Sequence, residues 1–354
     1  MTVRWGMLST AGIGRVVASA IRGSTEAEFV AVAGRDAGKA AAYAAELGVA
    51  RSFGSYDDLL ACDEVDAVYV PLPIALHTEW TIRALRAGKH VLCEKPFATT
   101  AADASACFDA AEAAGHVCIE GLMWRHHPQT LLAQKLIGDG MIGDVAFIRA
   151  ALTVSVEPGD IRRTGRLGGG ASLDLGCYCL SAVRLFGGQP TSVSAARVVD
   201  TAPGADGGDL RLAATLTLPG DALAQFDVAL DYPRRDELEL IGTAGKLTVP
   251  DPWLCRFGHL ELERGGATER LPVDPIGQYR LGDPTDPDND DAYRIEFENA
   301  SRVIASGAAP VFGRADAVDQ AAAIEAVRTA AATGTTVTLA PATASRSAEE
   351  GHRS

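Results

Sequence analysis

Up to residue 120 the chain alternates short apolar runs with helical runs, and the later helical runs each stop at a glycine. Strand-like runs cover Val3–Ser9, Phe29–Ala33, Val65–Val70, His90–Cys93 and Val117–Glu120. Between them, helical spacing marks Ile13–Arg22, Ala37–Leu47 closed by Gly48, His77–Ala87 closed by Gly88, and Ala101–Ala114 closed by Gly115. A glycine just past a helix takes the left-handed conformation that ends it without strain. Repeated strand–helix units of this length predict a parallel sheet with helices on both faces, the α/β architecture of a Rossmann dinucleotide-binding domain.

The rhythm changes near residue 121. Strand character then recurs at Ala146–Val156, Ser192–Val199, Leu210–Leu218, Ala222–Leu230, Glu237–Ile241 and Lys246–Val249, interrupted by helices at Thr130–Ile137 and Ser172–Phe186. Strands that follow one another with few helices between them predict a large, mainly antiparallel sheet, so the second domain is expected to be α+β. Helical runs at Asp290–Ala305 and Ala315–Ala332 close the pattern. Loops are expected at the Gly/Asp/Pro-rich Ala202–Asp209 and the acidic Gly282–Asp291, and a frayed polar tail from Thr343. The domains are therefore placed at 1–122 and 123–342, with 343–354 as a flexible tail; a chain of 354 residues readily supports two.

Several function classes drop out on composition. The net charge of −14 opposes a nucleic-acid or anionic-membrane partner, since both require a basic surface. No apolar run approaches the roughly 20 residues that span a bilayer, and Met1–Trp5 leads into the first strand without a signal sequence, so a cytoplasmic protein is expected. The seven cysteines are irregularly spaced and no C-x-x-C pair occurs, which reads as free thiols and no metal site. The adjacent His126 and His127 point in different directions and have no evident third ligand, so they are read as loop or substrate-wall residues.

The first strand runs into Ser9-Thr10-Ala11-Gly12-Ile13-Gly14 and then a helix. That is where a G-x-G-x-x-G turn brings backbone N–H groups and a helix start against a pyrophosphate. Here Ser9 and Ala11 stand for the first two glycines, and only Gly14 is in register. The second strand ends at Gly34-Arg35-Asp36. An NAD site carries an acidic residue at the strand end for the ribose hydroxyls. Gly34 holds that place here, and Arg35, helped by Lys39, is positioned for a 2′-phosphate. NADP(H) is therefore expected rather than NAD(H). Asp36 is read either as a cap of the following helix or as a ribose ligand.

Two further stretches carry chemistry. Gly88-Lys89-His90-Val91-Leu92-Cys93-Glu94-Lys95-Pro96 crosses a strand to its carboxyl end, where open α/β sheets bind ligands. Gly168-Gly169-Gly170-Ala171-Ser172-Leu173-Asp174-Leu175-Gly176-Cys177-Tyr178 opens a helix on a glycine run, and its Asp174 and Tyr178, four apart, are expected on one helix face. These stretches resemble the glucose–fructose oxidoreductase, inositol dehydrogenase and rhizopine-catabolism (Gfo/Idh/MocA) family. The resemblance extends through Asp66–Pro73 with His77, Met123–Pro128 and Tyr293–Phe297, nearly the whole chain. Tyr178, together with Gly159-Asp160-Ile161-Arg162, is similar to the tyrosine-containing branch.

The resemblance implies an oxidoreductase acting on CH–OH groups of a small sugar or polyol. It places Pro71, Leu72, His77, Glu94, Lys95 and Arg162 along the cofactor, with Glu120 and Arg162 lining its pocket. It also implies that the second domain's open sheet supplies the substrate floor and a subunit interface, giving a homodimer or homotetramer. A nucleotide-sugar ketoreductase is the nearest alternative activity. A non-catalytic dinucleotide-binding regulator of the same fold is the alternative of another class, opposed by the presence of both Lys95 and Tyr178. Tyr178 would exchange the substrate proton: a free tyrosine has a pKa of about 10, and a neighbouring cation lowers it by roughly one to three pKa units. Lys95 is the expected cation and Asp174 the ligand of a substrate hydroxyl. Met123 and Trp124 are read as packing residues.

Overall fold

The structure is a computed structural model and describes residues 1–202, 205–274 and 291–342. The tail from Thr343 and the acidic loop up to Asp290 lie outside the described residues.

In the first domain the elements follow as β1 (Val3–Leu8), α1 (Ile13–Ala20), β2 (Ala27–Ala33), α2 (Ala37–Leu47), β3 (Arg51–Phe53), α3 (Tyr56–Leu60), β4 (Ala67–Val70), α4 (His77–Arg86), β5 (His90–Glu94), α5 (Ala101–Ala114) and β6 (Cys118–Gly121). The helix ends follow local chemistry. The Asp36 side chain caps α2 by accepting the Lys39 N–H, Thr100 caps α5 by accepting that of Asp103, and Gly48 and Gly115 close the same helices at φ +73° and +68°. The six strands are all parallel in the order β3-β2-β1-β4-β5-β6. The order reverses between β1 and β4, which opens a crevice at the carboxyl ends of these strands. The elements expected from the sequence are present; β3 and α3 are additional, each too short to show a period.

The second domain runs α6 (Pro128–Gly138), β7 (Val145–Ser155), α7 (Ala171–Asp174), α8 (Gly176–Gly187), β8 (Ser192–Val199), β9 (Asp209–Thr217), β10 (Leu223–Ala229), β11 (Asp231–Gly242), β12 (Lys246–Thr248), β13 (His259–Arg264) and β14 (Ala267–Pro272), then α9 (Asp291–Ser306), α10 (Arg314–Thr333) and β15 (Val337–Thr338). Nine strands form one sheet in the order β14-β13-β12-β11-β7-β10-β9-β8-β15. Only β7 and β10 pair in parallel. One face packs under α8 and α10, and Ala224, Phe226 and Val228 of β10 point into that core. Their alternates, Leu223 and Gln225, lie on the other face, which no element among the described residues covers. Among the described residues no helix is long and apolar enough to cross a membrane.

Two features depart from the sequence reading. The helix expected over Ser172–Phe186 is broken at Leu175 into α7 and α8 (φ −111°, ψ −38°), so Asp174 and Tyr178 do not share a helix face. In addition, α9 packs against the first domain's sheet. Its Phe297 ring lies 5.0 Å from Trp5, 5.5 Å from Phe29 and 5.2 Å from Tyr69, and Trp5 Nε1 donates to Ser301 Oγ at 3.1 Å.

Candidate active site

The turn after β1 is built by side chains too small to obstruct it. Ser9 Oγ accepts the Ala11 N–H at 3.0 Å and donates to Pro71 O at 3.2 Å, which joins the turns after β1 and β4. Gly14 serves packing. A Cβ there would lie 2.4 Å from Met7 Sδ and 2.6 Å from the Tyr43 hydroxyl, so only glycine lets α1 lie this close to β1. Tyr43 in turn donates to Ala11 O at 2.6 Å. No side chain caps the first turn of α1, and a Cβ at Gly12 would meet nothing within 4 Å. That helix start therefore presents open space and backbone donors, which suits a pyrophosphate.

Gly12 and Ile13 form one end of a cleft of about 590 Å³ between the two domains. Pro71 and Leu72 from the turn after β4, and Glu94 and Lys95 from the end of β5, continue its wall. The second domain contributes Asp160 and Arg162, then Asp174 at the end of α7 and Tyr178 on α8. Lys95 Nζ donates to Asp174 Oδ1 at 2.9 Å and to Asp174 O at 2.7 Å. The same ammonium lies 4.8 Å from the centre of the Tyr178 ring, while the Tyr178 hydroxyl is 3.7 Å from Met123 Sδ. Glu94 accepts the Tyr69 hydroxyl at 2.5 Å and the Lys95 N–H at 3.2 Å.

Burial by itself lowers the Lys95 pKa, but Asp174, Cys177 and Glu94 more than offset it and push it up. Lys95 is therefore a permanent cation. Tyr178 does not behave as expected. Burial drives its pKa well above 10, and Glu94, Cys177 and Asp174 push the same way. Lys95 does not reverse this, because its charge lies over the ring face and is engaged by Asp174. The expected lowering of the tyrosine pKa by Lys95 is thus not seen; the phenol holds its proton firmly.

Other candidates sit elsewhere. His77 is buried at the start of α4, with Nδ1 2.9 Å from Pro96 O and Nε2 2.9 Å from Leu72 O. It ties together the two turns that carry Leu72 and Lys95 and has no nitrogen left for a cofactor. Glu120 is also buried and is not part of this cleft's lining; its Oε1 accepts the Phe97 N–H at 2.9 Å and so holds the turn after Lys95. His127 caps α6 through Nδ1, and His126 meets Phe312 edge to face with ring centres 5.5 Å apart; neither lines the cleft. Ser9, Thr10 and Ala11 shape the turn behind the cleft. Arg35, just past β2, and Lys39, in the first turn of α2, are exposed outside the cleft but near the turn, for a Cβ at Gly34 would lie 3.4 Å from the Thr10 methyl. Asp36 acts as the cap of α2. Among the described residues, no group of three or more His, Cys, Asp or Glu side chains is placed to hold a metal.

The predicted site did not include Val16, Pro73, Ile74, Asp160, Ile161, Leu167, Gly169 and Tyr293, which also line the cleft. Most are apolar residues of ordinary type. Gly169 had a signal in its glycine run: a Cβ there would lie 2.6 Å from Arg162 O.

Comparison with known proteins covers both domains. A model described as an oxidoreductase family with an NAD-binding Rossmann fold matches residues 3–122, and a GFO/IDH/MocA C-terminal domain model matches residues 130–248. The chain is 36% identical to D-xylose 1-dehydrogenase (NADP(+)) 2 of Haloferax volcanii, over 95% of this chain and 99% of that protein. It is 40% identical to the dTDP-3,4-didehydro-2,6-dideoxy-alpha-D-glucose 3-reductase of Streptomyces violaceoruber, over 71% and 74%. Among solved structures, KijD10, a 3-ketoreductase from Actinomadura kijaniata in complex with NADP and TDP-benzene, superposes with a TM-score of 0.83 at 30% identity, covering 93% of this chain and 98% of that one.

Proposed function

The chain belongs to the Gfo/Idh/MocA oxidoreductase family, and from that membership we propose an NADP(H)-dependent enzyme for the carbinol or carbonyl carbon of a sugar or sugar-like polyol, with Tyr178 as its proton donor. The observation that carries the proposal is one cleft. At one end lies an uncapped helix start; at the other Lys95, Asp174 and Tyr178 converge. When bound, the cofactor gives or takes the hydride. The protein does the rest. The start of α1 holds the pyrophosphate, and Arg35 and Lys39 take the 2′-phosphate. Lys95 holds the reacting oxygen and polarises it, and Asp174 accepts a neighbouring hydroxyl. Tyr178 delivers the proton as negative charge builds on that oxygen. A phenol kept well above 10 suits this direction, since near neutral pH it is fully loaded as an acid.

A nucleotide-sugar ketoreductase uses the same steps on a larger substrate, and the Streptomyces relative keeps that reading open. A non-catalytic role is opposed by Lys95 and Tyr178 standing in contact within the cleft. We assign the uncovered face of the nine-stranded sheet to a second copy of the chain, giving a homodimer or homotetramer, and its free buried thiols to a reducing compartment such as the cytoplasm.

The test is NADPH oxidation against a panel of keto-sugars and NADP⁺ reduction against aldoses and polyols, with Tyr178→Phe alongside. The variant keeps the ring and deletes the hydroxyl. It should bind NADPH normally and lose turnover by about 10²–10⁴. A variant within a few-fold of wild type removes Tyr178 from the mechanism; no turnover with any member of the panel removes the substrate class.

A further inference from the structure

Tyr178 is 8% exposed, yet its hydroxyl meets no strong acceptor. Two carboxyls of the cleft that act on it through their charge are engaged elsewhere. Asp174 holds the Lys95 ammonium at 2.9 Å, and Glu94 takes the Tyr69 hydroxyl at 2.5 Å. The Lys95 ammonium above the ring can only donate. Trp253, whose ring centre lies 5.9 Å from that of Tyr178, is likewise a donor, and its Nε1 gives to Ala151 O at 3.0 Å. Among the described residues the hydrogen-bond partner of the phenol is Met123 Sδ, at 3.7 Å.

That thioether is fixed in place. Met123 opens the single turn Met123–His126 that follows β6 and is 2% exposed. The chain is tied on both sides of it. The Leu122 N–H reaches Glu120 O at 3.1 Å, the Arg125 N–H reaches Leu122 O at 3.0 Å, and Thr130 Oγ1 donates to Trp124 O at 2.6 Å. A thioether is a weak acceptor. It spares a buried hydroxyl the penalty of having no partner, and releases it readily. A carbonyl or carboxylate in the same place would hold the proton more tightly and stabilise the neutral phenol, so it would compete with a substrate oxygen. Methionine fills the space without that competition.

We propose that Met123 is a positioning residue for the proton transfer: its thioether holds the Tyr178 hydroxyl only loosely, so that the substrate oxygen, once bound, replaces sulfur as the acceptor. Sulfur changes no covalent bond. The proton passes from the phenol to the substrate oxygen as NADPH gives hydride to the carbon beside it, and water reprotonates the phenolate that remains. This rests on the oxidoreductase reading above and extends it to a residue behind the cleft's lining.

The test compares full-length wild type, Met123→Leu and Met123→Gln, each with and without Tyr178→Phe. Leucine keeps the volume and removes the acceptor; glutamine keeps the length and supplies a carbonyl. NADPH affinity is read by titration, turnover by NADPH oxidation with the keto-sugar on which wild type is most active, and stability by thermal melts. Met123→Gln should lower kcat about tenfold, with KM and NADPH affinity within about threefold, because one stronger neutral hydrogen bond must break before transfer. Met123→Leu should stay within about threefold in all three quantities. Beside Tyr178→Phe the glutamine should bring no further loss of kcat. There it should also lower the melting temperature by about 2 °C more than it does beside the tyrosine, since no hydroxyl then meets the new carbonyl. Equal losses for leucine and glutamine, an undiminished kcat in Met123→Gln, or a glutamine loss that persists beside Tyr178→Phe each overturn the proposal. A wild type that binds no NADPH, or turns over no substrate, sinks the oxidoreductase reading instead. The melting difference then decides alone: its presence upholds the contact between position 123 and the hydroxyl, and its absence overturns it.

Discussion

Glu120 shows how a single side chain can be held against its own preference. Burial pushes its pKa up to about 7 from an ordinary 4.5, opposed in part by the Phe97 N–H, Arg125 and Arg184 and helped by Asp316. One of its oxygens, Oε2, is buried with no partner among the described residues. The sign follows from linkage. A carboxyl whose folded pKa is raised destabilises the fold only when ionised, so the penalty is absent below pH 4.5, grows from there to about 7, and is complete above. Glu120→Gln keeps the acceptor for Phe97 and removes the ionisation. Denaturant melts should find it more stable than wild type by about 1–3 kcal/mol at pH 8, with the difference gone by pH 4.5. A difference independent of pH would mean that Glu120 is not ionising in place. At this scale the sequence told which residue types do chemistry but not which way they point. Lys95, Asp174 and Tyr178 were legible because they occur together at strand and helix ends. That His77 spends both nitrogens on carbonyls, and that Lys95 meets the ring of Tyr178 rather than its hydroxyl, depends on rotamers and burial that no spacing encodes.

Among the elements, the junction of β2 with α2 is where the proposed cofactor choice is tested. The strand delivers Gly34 against Thr10, Asp36 is spent on capping α2, and Arg35 stands exposed between them. Arg35→Ala should weaken NADP(H) binding by about 1.5–3 kcal/mol while leaving NAD(H) nearly unchanged, as titrations with both cofactors would show. Equal losses would take the 2′-phosphate away from Arg35. The first domain was readable because strand and helix periods alternate without interruption and glycines mark the helix ends. Short or charged pieces were not. The strand Arg51–Phe53 holds too few residues for a pattern, and β13 and β14 carry His259, Glu261, Glu263, Arg264, Glu269 and Arg270 around an apolar minimum. The break at Leu175 went unseen because Leu-Gly-Cys continues a helix as readily as it ends one.

Among the described residues, the nine-stranded sheet leaves a large face to its surroundings. Arg149, Ser194, Ala196, Ala213, Thr215, Gln225 and Glu237 lie on the uncovered side of the sheet, a mixed and nearly flat surface. With that face given to a second copy, light scattering after size exclusion should return two or four chain masses, and added salt should favour association, because each chain carries −14 and screening eases the repulsion. A monomer at every salt concentration would remove the assignment.

Phe297 has a consequence in time as well as in space. The first domain's aromatic cluster around Trp5, Phe29 and Tyr69 is completed by a residue more than 200 positions further along the chain. As the chain leaves the ribosome, the nucleotide-binding strands emerge well before the helix that completes their core, and they carry an unfilled aromatic slot until α9 follows. A premature stop anywhere ahead of α9 therefore truncates the cofactor domain, although its own strands were translated intact.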